Sequence, residues 1–196
     1  LNPIASLPLG TEELTMYDFA NAYTTLAANG YQRNISLIEK VEDASGNILY
    51  EKKNDDQMVL NSSYVYILNE LLTTTYNSSF IDYNNPTILS LGSKISRKYA
   101  MKSGSTGTDC YMVGYNPDIL MMVWNGYDDN TELAVKDGMI SKNIWVETVE
   151  NILKDRESNW YETPNNVIGV PLNGVTGEKT NDSKKIFVFY YVKGSE

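Results

Sequence analysis

The residues best suited to chemistry lie in one short segment, Lys102-Ser-Gly-Ser-Thr106, which places a cation, hydroxyls and a glycine at the end of a predicted strand. Strand alternation puts Lys102 and Gly104 on one face and Ser103 on the other. Gly104 lets a substrate backbone approach closely, and free amides at a strand edge can donate to an oxyanion. An ordinary solvated strand-to-loop turn has the same pattern, so the segment alone does not establish a site.

Composition narrows the chemistry that such a segment could support. The 196 residues include no histidine and one cysteine, Cys110. Catalysis by Ser-His-Asp or Cys-His groups is therefore excluded within this chain, as are an internal disulfide and a cysteine-rich zinc site. The chemistry that is left uses lysine, carboxylates, hydroxyls or backbone amides.

Size and charge describe a globular, anionic chain. Hydrophobic residues make up 42% of the sequence and charged residues 21%, which is typical of a folded domain. The net charge of −9 argues against a nucleic-acid partner, because neutralising phosphates requires a basic surface. No apolar stretch is long enough to span a bilayer, and no signal peptide is recognised. The chain begins at Leu1 without a methionine, which favours a piece of a longer protein.

The segment Lys102–Thr106, here called the active segment, is predicted to belong to an antiparallel meander. Residues 99–103, 109–115 and 119–125 have the apolar runs of three strands, and Asn116-Pro-Asp118 has the composition of a turn. A helix over residues 139–154 is expected to cover this sheet. Its predicted inward residues are Ile144, Trp145, Val149, Ile152 and Leu153.

The remaining elements are predicted from spacing and turn residues. A helix over residues 15–29 is capped by Thr15 and ended by Gly30, and a second helix covers residues 62–76. A hairpin between them joins residues 35–41 to residues 48–50, and residues 186–192 form a last strand. Residues 167–175 are expected to be an extended linker. The predicted inward residues are Met16, Phe19, Ala20, Tyr23 and Leu26 in the first helix, and Tyr64, Val65, Leu68, Leu71 and Leu72 in the second.

The segment at Lys102 resembles the Lys-Thr/Ser-Gly element of the penicillin-recognising serine enzymes, and its surroundings are similar to the class A penicillin-binding proteins. Members commonly read Lys-Thr-Gly-Thr-Thr, then an Asp-Ala-Trp-Phe-Val-Gly-Tyr-Thr-Pro-like strand, then Val-Trp-Val-Gly-Tyr-Asp-Asp-like residues. In the same order and spacing, this chain reads Lys102-Ser-Gly-Ser-Thr106, Asp109-Cys-Tyr-Met-Val-Gly-Tyr-Asn-Pro117 and Val123-Trp-Asn-Gly-Tyr-Asp-Asp129. Family-like segments also occur at Leu7-Pro-Leu-Gly10, Ala22-Tyr23, Leu26-Ala-Ala-Asn-Gly30 and Tyr191-Val-Lys-Gly-Ser-Glu196.

This resemblance implies an α+β fold, the C-terminal portion of a serine-transpeptidase (β-lactamase-like) domain with helices packed on an antiparallel sheet. Lys102 would supply positive charge beside the nucleophile and help to move protons during acylation. The Ser103 and Ser105 hydroxyls would hold the carboxylate of a peptide stem or of a β-lactam, next to Gly104. The backbone N–H of Ser105 would form half of the oxyanion hole, and Thr106 could assist in substrate binding.

Two signatures of the family are missing from the chain. The Ser-x-x-Lys nucleophile motif is not matched, because Ser93-Lys94, Ser96-Arg-Lys98 and Ser141-Lys142 lack its spacing and Ser36-Leu-Ile-Glu39 ends in the wrong residue. The Ser-x-Asn element is matched only by Ser45-Gly-Asn47, in a predicted hairpin turn. We expect both true elements to precede Leu1 in a longer protein and the chain alone to be inactive.

The resemblance further implies a parent enzyme that cross-links D-Ala-D-Ala stem peptides through an acyl-serine intermediate, without a metal or organic cofactor. Its expected partners are peptidoglycan stem peptides, β-lactams and the N-terminal remainder of the same protein. The expected location is the extracytoplasmic face of the bacterial membrane, with membrane contact only through the missing N-terminal part. Residues 1–160 are assigned to the transpeptidase domain and residues 161–196 to a C-terminal extension.

The alternative to an enzyme is a non-catalytic module that binds partners at the cell wall, or a degenerate relative. A β-lactam hydrolase fits less well, because no general-base glutamate can be assigned.

Three other features have a chemical and a structural interpretation. Asp128-Asp129-Asn130 could bind a metal or form an acid/base pair, but adjacent carboxylates after a strand are typical of a turn. Cys110 could be a reactive thiol, but its place in a predicted strand favours a core residue. The fifteen tyrosines could bind carbohydrate, but their spacing on helices and strands favours packing.

Overall fold

The computed structural model describes residues 3–7, 10, 12–53, 56–82 and 84–195. Three helices are present in this part of the chain: α1 (Met16–Ala27), α2 (Ser62–Leu72) and α3 (Ile140–Leu153). The strands are β1 (Tyr31–Gln32), β2 (Lys40–Glu42), β3 (Ile48–Glu51), β4 (Gln57–Met58), β5 (Ala100–Ser105), β6 (Asp109–Asn116), β7 (Ile119–Gly126), β8 (Val167–Asn173) and β9 (Ile186–Val192). Short 3₁₀ helices cover Thr73–Tyr76, Ser78–Phe80, Leu89–Leu91 and Val135–Met139. Every strand pair described is antiparallel, which confirms the α+β prediction.

The central sheet is the predicted meander, in the order β5-β6-β7. The turn between β6 and β7 is fixed by Asn116, whose side-chain oxygen accepts hydrogen bonds from the backbone N–H groups of Asp118 at 2.9 Å and Ile119 at 3.1 Å. Strand β5 extends to Ser105, two residues beyond the predicted end, and lies at one edge of this three-stranded sheet. The active segment is therefore held on a strand rather than in a loop.

One face of the sheet is covered by α3. Trp145 is completely buried there and packs edge-to-face on Tyr99, with 5.1 Å between the ring centroids. Gly114 makes this contact possible, because a Cβ at that position would lie 2.4 Å from Cζ2 of Trp145. The core on this side consists of Ile88, Leu91, Tyr99, Met101, Met112, Trp145, Val146, Val149 and Leu153.

The opposite face of the sheet is covered by α1 and α2. The hydroxyl of Tyr115 on β6 donates to Oδ1 of Asn69 on α2 at 2.8 Å, in a buried hydrogen bond. Tyr23 of α1 lies against the same tyrosine ring, with 5.9 Å between the centroids. A buried polar pair thus joins helix and sheet where periodicity alone predicted apolar contacts.

The predicted helix faces are only partly correct. In α2, Val65 is buried as predicted, but Tyr64, Leu68 and Leu71 are exposed, and Tyr66, Asn69 and Glu70 are buried instead. The reason is that Asn69 and Glu70 find partners on other elements, so the buried face of α2 is rotated from its apolar stripe. In α3, Trp145, Val149 and Leu153 are buried as predicted, whereas Ile144 and Ile152 are exposed; in α1, Met16 is exposed.

The ends of the helices follow local chemistry. The side chain of Thr15 accepts a hydrogen bond from the N–H of Asp18, which confirms the predicted cap of α1. Gly30 has φ +103°, and a Cβ there would lie 2.3 Å from the carbonyl oxygen of Leu60. Only glycine therefore fits where the chain leaves α1. The predicted second helix is shorter than expected, because its last turn is the 3₁₀ helix Thr73–Tyr76.

The first arm of the first hairpin is shorter than predicted, since the hairpin comprises only β2 and β3, and residues 35–39 lie outside it. The small sheet β1-β4 was not predicted.

The prediction of a linker over residues 167–175 is wrong, because β8 pairs with β9 along its full length. Pro171 lies within β8, and a two-stranded hairpin leaves one edge of that strand unpaired and so tolerates proline. The aromatic residues of β9 hold the hairpin against the rest of the chain, since Phe187 packs on Phe80 and Tyr190 packs on Tyr66. The division of the chain at residue 160 stays a prediction.

Candidate active site

Strand β5 presents its active segment at an open edge. Met101 is fully buried, whereas Lys102, Gly104 and Ser105 are exposed and Ser103 is half-buried. The change from buried to exposed residues occurs where the strand passes beyond the core under α3. The predicted exposed edge, with β6 and β7 as antiparallel neighbours, is confirmed.

Two independent hydrogen-bond patterns show which main-chain groups face outward from β5. At the upstream end, the carbonyl of Met101 accepts from the hydroxyl of Thr75 at 3.2 Å, on the side away from β6. At the downstream end, the N–H of Thr106 donates to the carbonyl of Asp109 at 2.8 Å, toward β6. Main-chain groups alternate along a strand, so both patterns direct the N–H of Ser103 and Ser105 to the open edge.

The side chains of this segment divide between two faces. Lys102 lies on the face of α1 and α2, and its ammonium donates to the carbonyl of Ser103 at 2.6 Å. Ser103 and Ser105 lie on the face of α3, and the hydroxyl of Ser103 donates to Oγ1 of Thr87 at 3.2 Å. Lysine and the two serines therefore act from opposite sides of the same strand, as alternation predicted.

A pocket of about 230 Å³ opens on the serine side of β5. Besides the strand, its walls come from the 3₁₀ helix Val135–Met139 and the first turn of α3, where Lys142 donates to the carbonyl of Thr87 at 3.0 Å. The lining residues are Ser103, Gly104, Ser105, Cys110, Tyr111, Val135, Gly138, Met139 and Lys142. A larger but shallow hollow of about 390 Å³ lies along α3 alone, at Glu147, Thr148, Asn151 and Ile152, and has no wall from a second element.

The turn after β5 is held by Asp109. Its carboxylate accepts hydrogen bonds from the hydroxyl of Thr108 at 2.7 Å, the indole N–H of Trp124 at 2.8 Å and the hydroxyl of Thr106 at 3.2 Å. These hydrogen bonds lower the pKa of Asp109, and the bond from Thr108 has the largest effect. The Thr106 hydroxyl also accepts from the backbone N–H of Asp109, so it is engaged inside the turn rather than directed at a ligand.

The start of β5 is anchored to α2 by a buried ion pair. Both carboxylate oxygens of Glu70 accept from the Lys98 ammonium, at 2.6 and 2.5 Å, and one also accepts from the indole N–H of Trp160 at 2.7 Å. The Glu70 side chain is 4% exposed and that of Lys98 is 38% exposed. The nearby Tyr76 hydroxyl donates to the carbonyl of Tyr99; burial, followed by the charge of Glu70, raises the pKa of Tyr76 to about 12. These contacts hold the chain at Lys98 and Tyr99, immediately before β5 begins.

The other sequence candidates have structural roles. Cys110 is buried and also lines the pocket. Asp129 accepts from Thr131, and Asn130 has φ 58°, as expected for a turn. Asn47 donates to Asp43 within the turn between β2 and β3, so Ser45-Gly-Asn47 serves to hold that turn. Sequence reasoning missed Thr87 and Lys142, because neither carries a local motif and both approach Ser103 only in the folded chain.

No group of three His, Cys, Asp or Glu side chains is placed to hold a metal ion in the described part of the chain. None of the helices described combines the length and the apolarity that crossing a membrane requires.

Comparison with known proteins gives relatives of one kind, although no family model matches the chain. The chain is 32% identical over 199 residues to penicillin-binding protein 2D of Bacillus subtilis, a match that covers 100% of this chain and 29% of that protein. It is 26% identical over 207 residues to penicillin-binding protein 1A of Rickettsia felis, covering 95% of this chain and 26% of the relative. The chain thus spans less than a third of the length of these relatives.

The fold agrees with these matches. The crystal structure of penicillin-binding protein 1A from Haemophilus influenzae superimposes with a TM-score of 0.83 over 97% of this chain and 34% of that one, at 18% identity. The predicted fold is therefore confirmed at the level of the whole chain, as is the resemblance recognised in the segment at Lys102. The chain is a homologue of the class A penicillin-binding proteins and corresponds to part of their transpeptidase domain.

Proposed function

We propose that this chain forms one wall of the active site of a serine-type D,D-transpeptidase that cross-links peptidoglycan stem peptides. The serine nucleophile comes from the N-terminal remainder of the same protein. The observation that carries the proposal is the open end of β5, where Lys102 lies on one face and the N–H of Ser105 is directed outward. Homology to penicillin-binding proteins supports the reaction class.

In the proposed reaction the serine oxygen attacks the carbonyl of the terminal D-Ala-D-Ala bond, and negative charge develops on the carbonyl oxygen. The N–H of Ser105 donates to this oxyanion together with the N–H of the nucleophile. Lys102 lies on the neighbouring face, and its positive charge favours the ionised nucleophile and the developing charge. An acyl-serine forms, the terminal residue leaves with a proton, and the amine of a second stem peptide then displaces the serine.

The remaining residues of the segment hold the substrate. The hydroxyl of Ser105 donates to the carboxylate of the stem peptide or of a β-lactam, and so does the hydroxyl of Ser103 once it turns away from Thr87. Gly104 exposes no side chain, so the acyl group can lie against the backbone; the nearest neighbour of an added Cβ would be 3.9 Å away, and the space on this face is thus left to a ligand. Thr106 contributes through the shape of the turn that it holds with Asp109.

The proposed partners follow from this reaction. They are peptidoglycan stem peptides, β-lactams and the N-terminal part of the same polypeptide. The enzyme acts at the extracytoplasmic face of the cell membrane and is attached there through that N-terminal part.

Labelling with a fluorescent penicillin tests the proposal. The full-length protein should form a stoichiometric acyl adduct, detected by in-gel fluorescence and intact mass, whereas the 196-residue chain should form none. Acylation of a serine within this chain would refute the assignment of the nucleophile. A folded full-length protein that is never acylated would indicate a non-catalytic relative.

A further inference from the structure

The pocket on the serine side of β5 contains a cation that the reaction proposed above does not use. Lys142 lies in the first turn of α3, is half-buried, and lines the pocket together with Ser103 and Ser105. Lys102 is not among the residues that line this pocket, and its side chain starts from the opposite face of the strand. The two lysines thus flank the active segment from different sides.

A hydrogen-bonded chain connects Lys142 to Ser103. The hydroxyl of Ser103 donates to Oγ1 of Thr87 at 3.2 Å, and the ammonium of Lys142 donates to the carbonyl of the same threonine at 3.0 Å. A lysine has three N–H donors, so two are left for a ligand in the pocket. Thr87 therefore holds the Ser103 hydroxyl and the Lys142 ammonium beside one another at the pocket, where the ammonium keeps donors for a ligand.

Lys142 has no carboxylate partner within the described part of the chain. The ion pairs found there involve Arg33, Lys40 and Lys98. The 3₁₀ helix in this wall contains one acidic residue, Asp137, whose carboxylate accepts from the N–H of Ala134 at the start of that helix. No acidic side chain is among the residues that line the pocket.

A cation beside this pocket favours an anionic ligand. The chain has a net charge of −9, so its overall field repels a carboxylate. Two neutral hydroxyls can donate hydrogen bonds to a carboxylate but cannot neutralise its charge when it leaves water. A half-buried ammonium at the same pocket offsets that cost, because charge-assisted hydrogen bonds are the stronger ones.

We propose that Lys142 is the counter-ion of the substrate carboxylate and a specificity-determining residue of the site, selecting acyl donors with a free carboxylate. This inference rests on the proposed function, since it assumes that an acyl donor lies along β5 with its carboxylate on Ser103 and Ser105. It adds a residue of α3, 37 positions beyond Ser105, to the binding site.

The test compares two ligands in the full-length protein: a penicillin with its free carboxylate and the methyl ester of the same penicillin. With Lys142→Gln, the second-order acylation rate for the free acid should fall about 10- to 100-fold, the usual loss for a hydrogen bond to a charged group. The rate for the ester should change by less than about twofold, because the ester has no charge to neutralise. Lys142→Arg keeps the charge and should retain most of the preference for the free acid.

Lys94→Gln is the matched control. Its ammonium donates to Asn143, the next residue of α3, but it does not line the pocket, so both rates should stay at wild-type values. An equal loss for acid and ester in Lys142→Gln would overturn the inference, because it would show that Lys142 only supports Thr87. Unchanged rates, or the same loss in Lys94→Gln, would also overturn it while leaving the proposed function intact. A wild-type protein that neither ligand acylates would refute the proposed function and this inference together.

Discussion

Removing Lys98 should destabilise the protein more than removing its partner Glu70. In Lys98→Met the apolar stem is kept, but the Glu70 carboxylate, 4% exposed, loses both hydrogen bonds from the ammonium and keeps that of the Trp160 indole N–H. Breaking a buried ion pair from one side costs about 3–5 kcal/mol, and the 38% exposure of the Lys98 side chain reduces this to about 2–3 kcal/mol. In Glu70→Gln the amide oxygen can still accept from Trp160, and Lys98 can turn to water, so about 1 kcal/mol is expected.

Native-state hydrogen exchange of the full-length protein, read by mass spectrometry on peptides from α2, measures this difference. The free energy of opening of α2 should fall in the order wild type, Glu70→Gln, Lys98→Met. Lys94→Met, which removes an exposed lysine of the same chain, should leave it unchanged within about 0.5 kcal/mol. A Lys98→Met variant that is as stable as Glu70→Gln would refute the reasoning, since it would mean that the Glu70 carboxylate gains water when its partner is lost.

Three further predictions concern β5 and its surroundings. In the full-length protein, Lys102→Ala should slow acylation by penicillin roughly 10²–10³-fold with stability within about 0.5 kcal/mol, and Lys102→Arg should rescue it in part; a rate within about threefold of wild type would contradict the role of Lys102. Gly114→Ala should destabilise the protein by about 2–3 kcal/mol in thermal or urea unfolding, because its methyl would collide with Trp145. Gly104→Ala, whose added methyl would have its nearest neighbour at 3.9 Å, should cost less than about 1 kcal/mol. Equal losses in the two variants would show that α3 moves freely. The pKa of Asp109 is lowered in the folded state, so its stabilising effect is present above the ordinary carboxyl range and is lost as the pH falls through the lowered value. The difference in melting temperature between wild type and Asp109→Asn should therefore vanish on acidification. A difference that persists at low pH would contradict this role of Asp109.

The parts of the fold that could be predicted are those set by neighbouring residues. The meander β5-β6-β7 follows from alternating runs on either side of a turn in which Asn116 caps its own loop. The N-terminus of α1 follows from Thr15 and Asp18. The open end of β5, and the division of Lys102 and Ser103 between its faces, follow from strand alternation.

The parts that could not be predicted depend on partners distant in sequence. The buried face of α2 was misplaced, because Glu70 is buried by Lys98 and Trp160, the latter 90 residues away. Strand β8 was taken for a linker, because its partner lies beyond a polar stretch and the sequence between them gives no short hairpin turn. Lys142 was missed for the same reason, since it comes to the site from a helix predicted only as a cover for the core.

The hydrogen bonds that hold the outer side of β5 also shorten the free edge that this strand offers to a second molecule. An unpaired strand edge is a template for sheet pairing with a second molecule. Here the Tyr76 hydroxyl occupies both main-chain groups of Tyr99, and the Thr75 hydroxyl occupies the carbonyl of Met101. The open stretch from Lys102 to Ser105 is about 13 Å of strand. That length can receive a short peptide, but it is too short to nucleate an intermolecular sheet, so the molecule keeps a reactive edge without becoming prone to aggregate through it.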